Sequence, residues 1–477
     1  MPKKGGNRAM RLDRRTRESL VKMIDSKIND AYMIKGAVDK RTMDVMDKST
    51  MMLKDAISRC NFYIYGGCMY FFNGAFYEGM EKDEFDYILD AVMDKRGVPA
   101  SESFRKGIYA ACWRKVIGNN VESANRSLVC FTNGVVDLSQ DIPVLKPHSA
   151  KFPVFYQLPY PYNESAICPK WEEFLKQVLP DETLRKNLQE FLGLVFINRS
   201  QAKVETMMWL HGNGANGKSV IFNTIMGVFG RKNITNYDIK DLTASTQKER
   251  NIAAINGKLL NYCSDVDSKT IISDSIKALI SGEPMMGRPM YQEAFTVYDI
   301  PLMMGNTNRV PFFKENSDAW LRRIRPIPFE VSIPESKQDK MLSDKLSKEY
   351  SGILNWILAG RARIIRNKYH FTDSERIEAF IRSYKESGNT VKQFEGYLGI
   401  RAVPKSPFEK GKTISCDALY YKYRAWCDIV KSRVGDTPMT SKSFFKAMGE
   451  LGYVKQKGPS GQVFRYFGQK TIEDFIL

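Results

Sequence analysis

The spacing of apolar residues in the N-terminal part of the chain predicts a helical segment followed by short strands. Between residues 17 and 60, methionines and isoleucines recur among charged residues at the spacing of a helix. From residue 62 to 77 the chain is rich in aromatic residues and glycines, which predicts two strands around an Asn-Gly turn. A second turn of this kind, Asn133-Gly134, lies between the apolar runs at 128–131 and 135–138.

The central part of the chain alternates between helical and strand patterns. Proline and tyrosine dominate residues 153–169, which predicts a linker before this part. The predicted helices then cover residues 171–179 and 184–196, and the predicted strands cover 207–210, 259–263 and 300–304. Strands that alternate with helices are typical of a largely parallel α/β core. A predicted break at 326–339 leads into further helices.

The last stretch, residues 415–477, is predicted to form a small separate unit. Its pattern gives a helix at 418–430, a second helix at 441–451, and two strands around residues 457–461. This is the plan of a winged helix. Four lysines lie near the DNA face that this plan would give, namely Lys442, Lys446, Lys455 and Lys457. Winged helices also mediate protein contacts, so both uses stay open.

The composition adds a strong positive charge. Lysine and arginine number 72 against 54 aspartates and glutamates, and the net charge is +18. This excess favours a polyanionic partner, of which nucleic acid is the commonest, although a generic basic surface is the alternative.

The eight cysteines include no Cys-x-x-Cys pair, and with three histidines the chain does not predict a zinc cluster. We expect a cytoplasmic protein with no membrane partner, because no apolar run is long enough for a membrane span and no secretory signal pattern is present.

One segment predicts phosphate binding. Residues 212–219 match the G-x-x-x-x-G-K-[ST] loop, with an apolar strand before them and a helical pattern after them. Glycines let the backbone curl so that successive N–H groups point at one phosphate. Lys218 places a positive charge on the β and γ phosphates, and Ser219 is a ligand for Mg²⁺. The predicted nucleotide-binding residues are Gly212, Asn213, Gly214, Ala215, Asn216, Gly217, Lys218 and Ser219.

The same loop also satisfies the dinucleotide pattern G-x-G-x-x-G, so dinucleotide binding is an alternative interpretation of this segment. Asp238 lies at a plausible spacing for a ribose-binding acid. It follows a polar run at 231–236, however, and not an apolar strand. A dinucleotide turn also has no use for Lys218-Ser219. We therefore favour the triphosphate interpretation.

Hydrolysis needs an acid, a group that orients water and a positive charge, and the chain offers all three in order. Asp265 and Asp267 follow the predicted strand at 259–263, where Asp265 is a candidate Mg²⁺ ligand. Asn308 follows the strand at 300–304, and Arg322 and Arg323 come next. Each has a plainer interpretation: a helix-capping aspartate, a turn asparagine and a solvated arginine cluster.

This order resembles superfamily 3 helicases, the AAA+-like ring motors of small viruses, and specifically the poxvirus and phage primase–helicase family. The segments that carry the resemblance are Phe131-Thr-Asn-Gly-Val-Val-Asp-Leu138, Cys168-Pro169 with Trp171-Glu-Glu-Phe-Leu175, the phosphate loop, Ile276-Lys-Ala-Leu-Ile-Ser-Gly282, Thr307-Asn-Arg-Val-Pro311, Arg322-Arg-Ile-Arg-Pro-Ile-Pro-Phe329, and residues 420–427 with 444–467. The stretch from 205 to 330 is the most specific. The family shows glutamate where this chain has Ser-Asp265, which leaves the identity of the catalytic base open between Asp265 and Asp267.

The resemblance implies a fold and a domain order. It implies an α/β fold with a P-loop, AAA+-like helicase core on a parallel sheet, a mixed α+β N-terminal domain and a C-terminal winged helix. The match covers roughly residues 60–470, and the residue pattern alone gives a basic arm and helical segment at 1–60. The further expected segments are the α+β domain at 61–160, the ATPase core at 161–345, and a helical connector with the winged helix at 346–477. No clustered metal-binding carboxylates suggest a primase domain, so we expect priming by a separate primase or polymerase.

The resemblance also implies roles for the candidate residues. Lys218 and Ser219 would bind the triphosphate of ATP and Mg²⁺, Asp265 would be the metal acid, and Asn308 would position water. Arg322 or Arg323 would reach the site of a neighbouring subunit, which implies a ring, expected to be a hexamer. The motor would move 3′ to 5′ on single-stranded and forked DNA. Residues 282–295 suggest a hairpin in the ring's pore, and the DNA candidates are Lys277, Arg288 and Tyr291, with an ordinary surface hairpin as the alternative.

Two other functions stay open. The chain is either a replicative helicase, as above, or an origin-binding initiator that melts DNA locally, or an ATP-switched assembly or packaging component that does not unwind DNA. Strand displacement on a forked substrate distinguishes the first from the other two.

Overall fold

A computed structural model describes most of the 477 residues in two compact units. The described residues are 12–27, 61–95, 102–116, 120–140, 143–199, 202–214, 216–263, 274–290, 293–308, 318–387, 390–403, 411–434, 440–459 and 461–468. The first unit comprises residues 1–266, 272–309 and 323–374, and the second comprises residues 267–271, 310–322 and 375–477.

The first unit begins with a sheet covered by helices. Its elements are α1 (Arg14–Lys27), β1 (Phe62–Tyr65), β2 (Cys68–Phe72), β3 (Tyr77–Met80), α2 (Lys82–Lys95), α3 (Glu102–Val116) and β4 (Asn120–Val121). The strand order is β3-β2-β1-β4, and only the β1–β4 pair is parallel. Apolar side chains of the sheet, such as Phe62 and Phe71, form one buried cluster with Leu20 and Leu89 from the helices. The predicted helix at 17–60 is confirmed over α1, and the rest of that prediction lies outside the described residues.

The aromatic segment forms three strands where the sequence predicted two. Gly66 and Gly67 adopt positive φ angles of 54° and 70° and make a first turn between β1 and β2. The Asn-Gly turn lies between β2 and β3, where Asn73 Oδ1 accepts hydrogen bonds from the N–H groups of Ala75 and Phe76. The first turn was missed because a Gly-Gly pair inside an aromatic run reads as part of a strand.

A second, antiparallel sheet follows, built from β5 (Leu128–Phe131), β6 (Gly134–Asp137) and β7 (Leu145–Lys146). The hairpin is confirmed, but its turn is Thr132-Asn133, one residue earlier than predicted. Gly134 pairs with Phe131 at the start of β6, where an added Cβ would lie 2.4 Å from the Lys146 carbonyl oxygen. Gly134 is therefore required by a close backbone approach and not by the turn.

Residues 153–168 contain no helix or strand, yet they are packed against the protein and are not a free linker. Leu158 and Tyr160 are buried. The Leu158 N–H donates to the Cys130 carbonyl at 2.9 Å, and the Thr132 N–H donates to the Tyr160 carbonyl at 3.2 Å. The segment thus holds the β5–β6 hairpin to the rest of the unit.

A five-stranded parallel sheet forms the centre of the first unit. The elements here are α4 (Pro169–Val178), α5 (Glu182–Gly193), β8 (Met207–His211), α6 (Lys218–Val228), β9 (Ile234–Thr235), α7 (Ile239–Thr243), α8 (Lys248–Ile255), β10 (Leu260–Cys263), α9 (Asp274–Ser281), β11 (Met285–Gly287), β12 (Phe295–Val297), β13 (Leu302–Thr307) and β14 (Ile324–Pro328). The order is β14-β8-β13-β10-β9, with every neighbouring pair parallel. The three predicted strands are confirmed as β8, β10 and β13, and the predicted α/β class is correct.

Strand β14 lies where the sequence predicted a break, because Pro326 and Pro328 discourage a strand assignment. The Met207 N–H donates to the Arg323 carbonyl, and the Phe329 N–H donates to the His211 carbonyl. Alternate residues from 323 to 329 therefore face β8, and the two prolines face the open edge of the sheet. A proline is tolerated at such a position because it has no N–H to leave unpaired.

Three further helices are α10 (Asp318–Leu321) in the second unit and α11 (Leu342–Ser347) and α12 (Tyr350–Arg366) in the first. Helices α5 and α12 approach so closely that a Cβ on Gly360 would lie 2.3 Å from the Gln189 carbonyl oxygen. Glu190 is fully buried between them, with Arg363 Nε at 2.6 Å and the Thr372 N–H at 2.9 Å. The carboxylate is buried at low cost because these donors replace water.

The second unit contains α13 (Glu375–Ser387), α14 (Thr390–Leu398), β15 (Ile400–Ala402), β16 (Lys412–Ser415), α15 (Cys416–Val434), α16 (Ser441–Glu450), β17 (Lys455–Gly458) and β18 (Gly461–Gly468). Strand β18 pairs antiparallel with the other three strands. Phe394, Tyr423, Phe444 and Phe464 belong to its core. The two predicted helices and the strands around 457–461 are confirmed, and the four lysines named above are exposed.

Across the ranges that the structure describes, no helix has both the length and the apolar character needed to cross a membrane.

Candidate nucleotide site

The phosphate loop lies at the carboxyl end of β8, inside the parallel sheet. Strand β8 has β14 on one side and β13 on the other, and the Gly212 N–H donates to the Thr307 carbonyl at the end of β13. Helix α6 begins at Lys218, directly after the loop. Ligands of open α/β sheets bind at this edge, outside the carboxyl ends of the strands.

Two glycines let the loop fit tightly between its neighbours. Gly217 has a φ of 86°, and a Cβ there would lie 2.8 Å from Val178 Cγ1 and 2.9 Å from Phe174 Cζ on α4. A Cβ on Gly212 would lie 2.6 Å from the Phe329 carbonyl oxygen, just beyond β14. Glycine is needed at both positions because any side chain would push α4 or the β14 end away from the loop.

Helix α6 begins without a side-chain cap. Its N-cap residue, Gly217, offers no side-chain oxygen to the N–H groups of the first turn. These N–H groups carry the positive end of the helix dipole. The start of α6 is therefore suited to an anion.

Lys218 is buried and is held by uncharged acceptors. Its side chain is only 6% exposed, and Nζ donates to the Gly212 carbonyl at 2.6 Å and to Asn216 Oδ1 at 2.9 Å. Burial and the charge of Lys218 lower the pKa of His211, at the end of β8, so this histidine is neutral near pH 7. The loop thus concentrates one positive charge where an anion would arrive.

A cavity of about 630 Å³ opens in front of the loop. This volume is in the range of small-molecule and cofactor sites. Its lining residues are Lys170, Glu173, Phe174, Gln177, Gly214, Asn216, Gly217, Lys218, Ser219, Val220, Asn306, Asn308, Ile333, Gln338, Asp339, Lys340 and Leu342. The structure therefore brings the predicted residues Lys218, Ser219 and Asn308 to one cavity.

Strand β13 supplies two amides to this cavity. Asn306 is buried in the strand, and its Oδ1 accepts a hydrogen bond from the Tyr262 hydroxyl of β10 at 3.0 Å. Asn308 follows the strand and is exposed. The sequence predicts a strand that ends in both amides, but the family resemblance assigned the water-positioning role to Asn308 alone.

The other two walls were not predicted. Lys170, Glu173, Phe174 and Gln177 lie on one face of α4, and residues 333–342 form the wall beside α11. The helical spacing of the α4 residues is visible in the sequence, but nothing there shows that this face meets the loop. The structure shows this meeting through the close contact of α4 with Gly217.

Several predicted residues lie outside the described residues, namely Ala215, Asp265, Asp267 and Tyr291. Their proposed roles stay predictions. Ser219, at the start of α6, lines the cavity. Its hydroxyl group and the Asp265 carboxylate would hold Mg²⁺. Hydroxyl and carboxylate oxygens are the hard donors that this ion prefers.

The two arginines that were candidates for a neighbouring site have different surroundings. Arg323 is buried, forms an ion pair with Glu205 at 2.6 Å, and lies 3.4 Å from the Ser281 hydroxyl. Arg322 is exposed. A side chain that must reach another subunit has to leave its own, which favours Arg322 over Arg323.

The DNA candidates fall on two elements. The hairpin predicted within 282–295 is confirmed as β11 and β12, and Arg288 follows β11 with a side chain 60% exposed and 3.8 Å from Glu249. Lys277 lies on α9, not on the hairpin, and pairs with Asp274 at 3.3 Å. Two methionines of this region, Met286 in β11 and Met290 after it, are also exposed.

Two family models match parts of the chain. Residues 32–180 match the model described as D5 N terminal like, and residues 210–323 match a family of unknown function, DUF5906. The first includes helix α4, and the second runs from the end of β8 to Arg323.

Curated viral proteins are similar to part of the chain. "Putative helicase 121R" of Invertebrate iridescent virus 3 is 29% identical over 235 residues, which are 45% of this chain and 24% of that protein. "Putative helicase 184R" of Invertebrate iridescent virus 6 is 25% identical over 248 residues, 47% of this chain and 25% of that protein. The chain therefore spans about a quarter of the length of these relatives.

Among solved structures, the NrS-1 C terminal region in its A form apo structure aligns over 85% of this chain and 95% of its own. The identity is 12% and the TM-score is 0.47.

Proposed function

We propose that this chain is an ATP-hydrolysing motor of a ring-forming DNA helicase that works in viral, phage or mobile-element replication. The observation that carries the proposal is the phosphate loop at the end of β8, where Lys218, Ser219 and two strand-end amides line one cavity of nucleotide size. Similarity to viral proteins named as helicases supports the same class.

The triphosphate of ATP would bind between the loop and the start of α6. Uncapped N–H groups of the first turn would donate to phosphate oxygens, and Lys218 would exchange the Gly212 carbonyl for a phosphate oxygen while it keeps its hydrogen bond to Asn216 Oδ1. That exchange favours binding because a buried ammonium group is stabilised more by an anion than by a carbonyl. Mg²⁺, held by Ser219 and Asp265, would neutralise charge on the phosphates.

Hydrolysis then requires a positioned water. Asn306 and Asn308 both line the cavity, and the hydrogen bond from Tyr262 fixes Asn306 in the strand. The exposed Asn308 is the residue free to orient water toward the γ-phosphate, with Asp265 or Asp267 as the base. Arg322 would stabilise the developing charge from a neighbouring subunit, which makes a hexameric ring part of the proposal.

DNA would be the track of this motor. The net charge of +18, the exposed Arg288 beside the hairpin, and the exposed lysines of the second unit all favour a polyanion. We propose movement on single-stranded and forked DNA in the 3′ to 5′ direction, with a separate primase or polymerase. The second unit would act as a winged helix on DNA.

The test compares the wild-type chain with Lys218→Ala. The wild type should release phosphate from ATP, faster with single-stranded DNA, and should displace a strand from a forked duplex. Lys218→Ala should lose both activities while keeping its fold by circular dichroism. Phosphate release by Lys218→Ala at the wild-type rate would contradict the site assignment.

The same experiment separates the alternatives. Hydrolysis without strand displacement, together with protection of one preferred DNA sequence, would indicate an origin-binding initiator. Hydrolysis with neither activity would indicate an assembly or packaging component. Loss of DNA affinity as salt rises is expected for all basic DNA-binding surfaces, so affinity that ignores salt would contradict the proposed DNA track.

A further inference from the structure

The side chain of Asn216 has an unused hydrogen-bond donor inside the phosphate loop. Asn216 is only 3% exposed, and its Oδ1 accepts a hydrogen bond from Lys218 Nζ at 2.9 Å. Its Nδ2 group is buried and has no hydrogen-bond partner within the described part of the chain. A buried N–H without a partner is unfavourable, and such groups in folded proteins call for an explanation.

The position of this donor points to a ligand. The amide group lies over Gly212, where an added Cβ would be 2.2 Å from Nδ2, and Asn216 lines the cavity in front of the loop. Any side chain at position 212 would displace the amide. The loop therefore keeps a buried amide next to the buried ammonium group, both at the cavity that would receive the phosphates.

We propose that Asn216 is a positioning residue for the triphosphate, acting through both ends of its amide. Oδ1 holds the ammonium group of Lys218 at a fixed place in the loop. Nδ2 donates to a phosphate oxygen of the incoming nucleotide. The residue thereby links Lys218 and the phosphate in one hydrogen-bonded chain. This inference rests on the proposed function of the loop.

The two ends predict opposite effects, which makes the inference testable. If Asn216 only competed with the phosphates for the ammonium group of Lys218, its removal would leave nucleotide binding equal or make it tighter. If Nδ2 also donates to phosphate, its removal costs a hydrogen bond to a charged acceptor. Such a bond corresponds to about 10-fold to 100-fold in affinity.

The experiment measures the affinity of the full chain for an ATP analogue and for magnesium tripolyphosphate, which has phosphates but no base. Asn216→Ala should weaken both about 10-fold, because the lost contact is to phosphate. Asn216→Asp keeps an oxygen for Lys218 but loses the donor and adds a negative charge, so it should bind still more weakly. The expected order is wild type, then Asn216→Ala, then Asn216→Asp.

A matched control is Asn261→Ala. Asn261 is also a buried asparagine, but Oδ1 accepts from the Tyr237 N–H and Nδ2 donates to the Tyr237 carbonyl, and it is not part of the cavity lining. Its removal should lower the melting temperature and leave the tripolyphosphate affinity of the folded protein unchanged. A fall in affinity as large as that of Asn216→Ala would mean that any buried amide has this effect, and would overturn the inference.

The outcomes also separate this inference from the function on which it rests. If the wild type binds neither the ATP analogue nor tripolyphosphate, the proposed function fails. If the wild type binds both, and Asn216→Ala binds them equally or more tightly, the function stands and the role of Nδ2 is wrong.

Discussion

Two buried polar centres of the first unit differ in how fully they are hydrogen-bonded. In the phosphate loop, Asn216 keeps an unused donor and Lys218 is held by neutral acceptors beside a cavity. At Asp299, just before β13, both carboxylate oxygens are hydrogen-bonded. The carboxylate accepts hydrogen bonds from the Tyr65 hydroxyl, from the Ser123 hydroxyl at 2.7 Å, and from the Ala124 N–H at 2.7 Å.

The difference teaches how a binding centre is distinguished from a structural joint. Both centres are buried, but the hydrogen bonds of the loop join residues 212, 216 and 218, whereas those of Asp299 come from residues 65, 123 and 124. The Asp299 carboxylate joins the N-terminal sheet to the parallel sheet through three hydrogen bonds. Burial of Tyr65, and then the charge of Asp299, raise the pKa of the Tyr65 hydroxyl. The loop has an unused hydrogen-bond donor on Asn216, a residue that lines the cavity. A buried hydrogen-bond donor without a partner, on a residue that lines a cavity, is therefore the feature that we expect of a ligand-binding site.

The largest expected effect on stability is at Asp299, which forms the joint between the N-terminal sheet and the parallel sheet. Asp299→Ala leaves three donors unpaired in a buried place, and we expect the free energy of unfolding of the first unit to fall by about 3–4 kcal/mol. Denaturant unfolding measures this. Asp94→Ala, on the exposed end of α2, is the control and should change stability by less than about 0.5 kcal/mol. If folded Asp299→Ala loses nucleotide affinity as Lys218→Ala does, the two centres are not separate.

The next effect concerns the packing of α4 on the loop. Gly217→Ala combines a φ of 86° with contacts under 3 Å to Val178 and Phe174, so it should destabilise the unit by about 2–3 kcal/mol and weaken nucleotide binding. Gly214→Ala is matched, since its φ is 100° but no atom lies within 4 Å of the added Cβ. It should cost only about 1 kcal/mol, as backbone strain. Equal losses for the two variants would show that α4 does not determine the shape of the loop.

A smaller effect dissects the joint. Tyr65→Phe removes one of the three donors to Asp299 and should lower the free energy of unfolding by about 1–1.5 kcal/mol. In the background of Asp299→Ala, the same change should cost much less, because its partner is already gone. Additive losses would mean that the Tyr65 hydroxyl stabilises the protein independently of the Asp299 carboxylate.

The smallest expected effect is the pH dependence at His211. Burial and Lys218 lower its folded-state pKa below the ordinary value of 6.5, so the unfolded chain binds the proton more readily. The contribution of His211 is present above about pH 6.5 and is lost as the pH falls below that value. Melting temperatures from pH 7.5 to 5.5 should therefore fall less steeply in His211→Asn than in the wild type. Parallel curves would show that His211 is not the group responsible.

The sequence predicted the local parts of the nucleotide site better than its walls. The run from β8 through the loop into α6 is contiguous, and its apolar strand, glycines and Lys218-Ser219 all point to the same structure. Strand β14 was missed because Pro326 and Pro328 look like a break unless the edge position is known. The faces of α4 and of residues 333–342 meet the loop only through tertiary packing, which no local pattern records.

The joint at Asp299 could not be predicted for the same reason. A lone aspartate before a strand ordinarily indicates an exposed turn or a cap. Its three donors come from residues 65, 123 and 124, far away in the chain. The chemistry of the phosphate loop can thus be predicted from the sequence, whereas the hydrogen bonds that join the two sheets become visible only in the folded structure.

The most direct test of the central claim is a calorimetric titration of the wild-type chain with ATPγS and Mg²⁺, beside Lys218→Ala. We predict one saturable site per chain in the wild type, competed by tripolyphosphate, and no measurable binding in Lys218→Ala. No binding to the wild type, or equal binding to both proteins, would contradict the claim that the cavity at the end of β8 receives a nucleoside triphosphate.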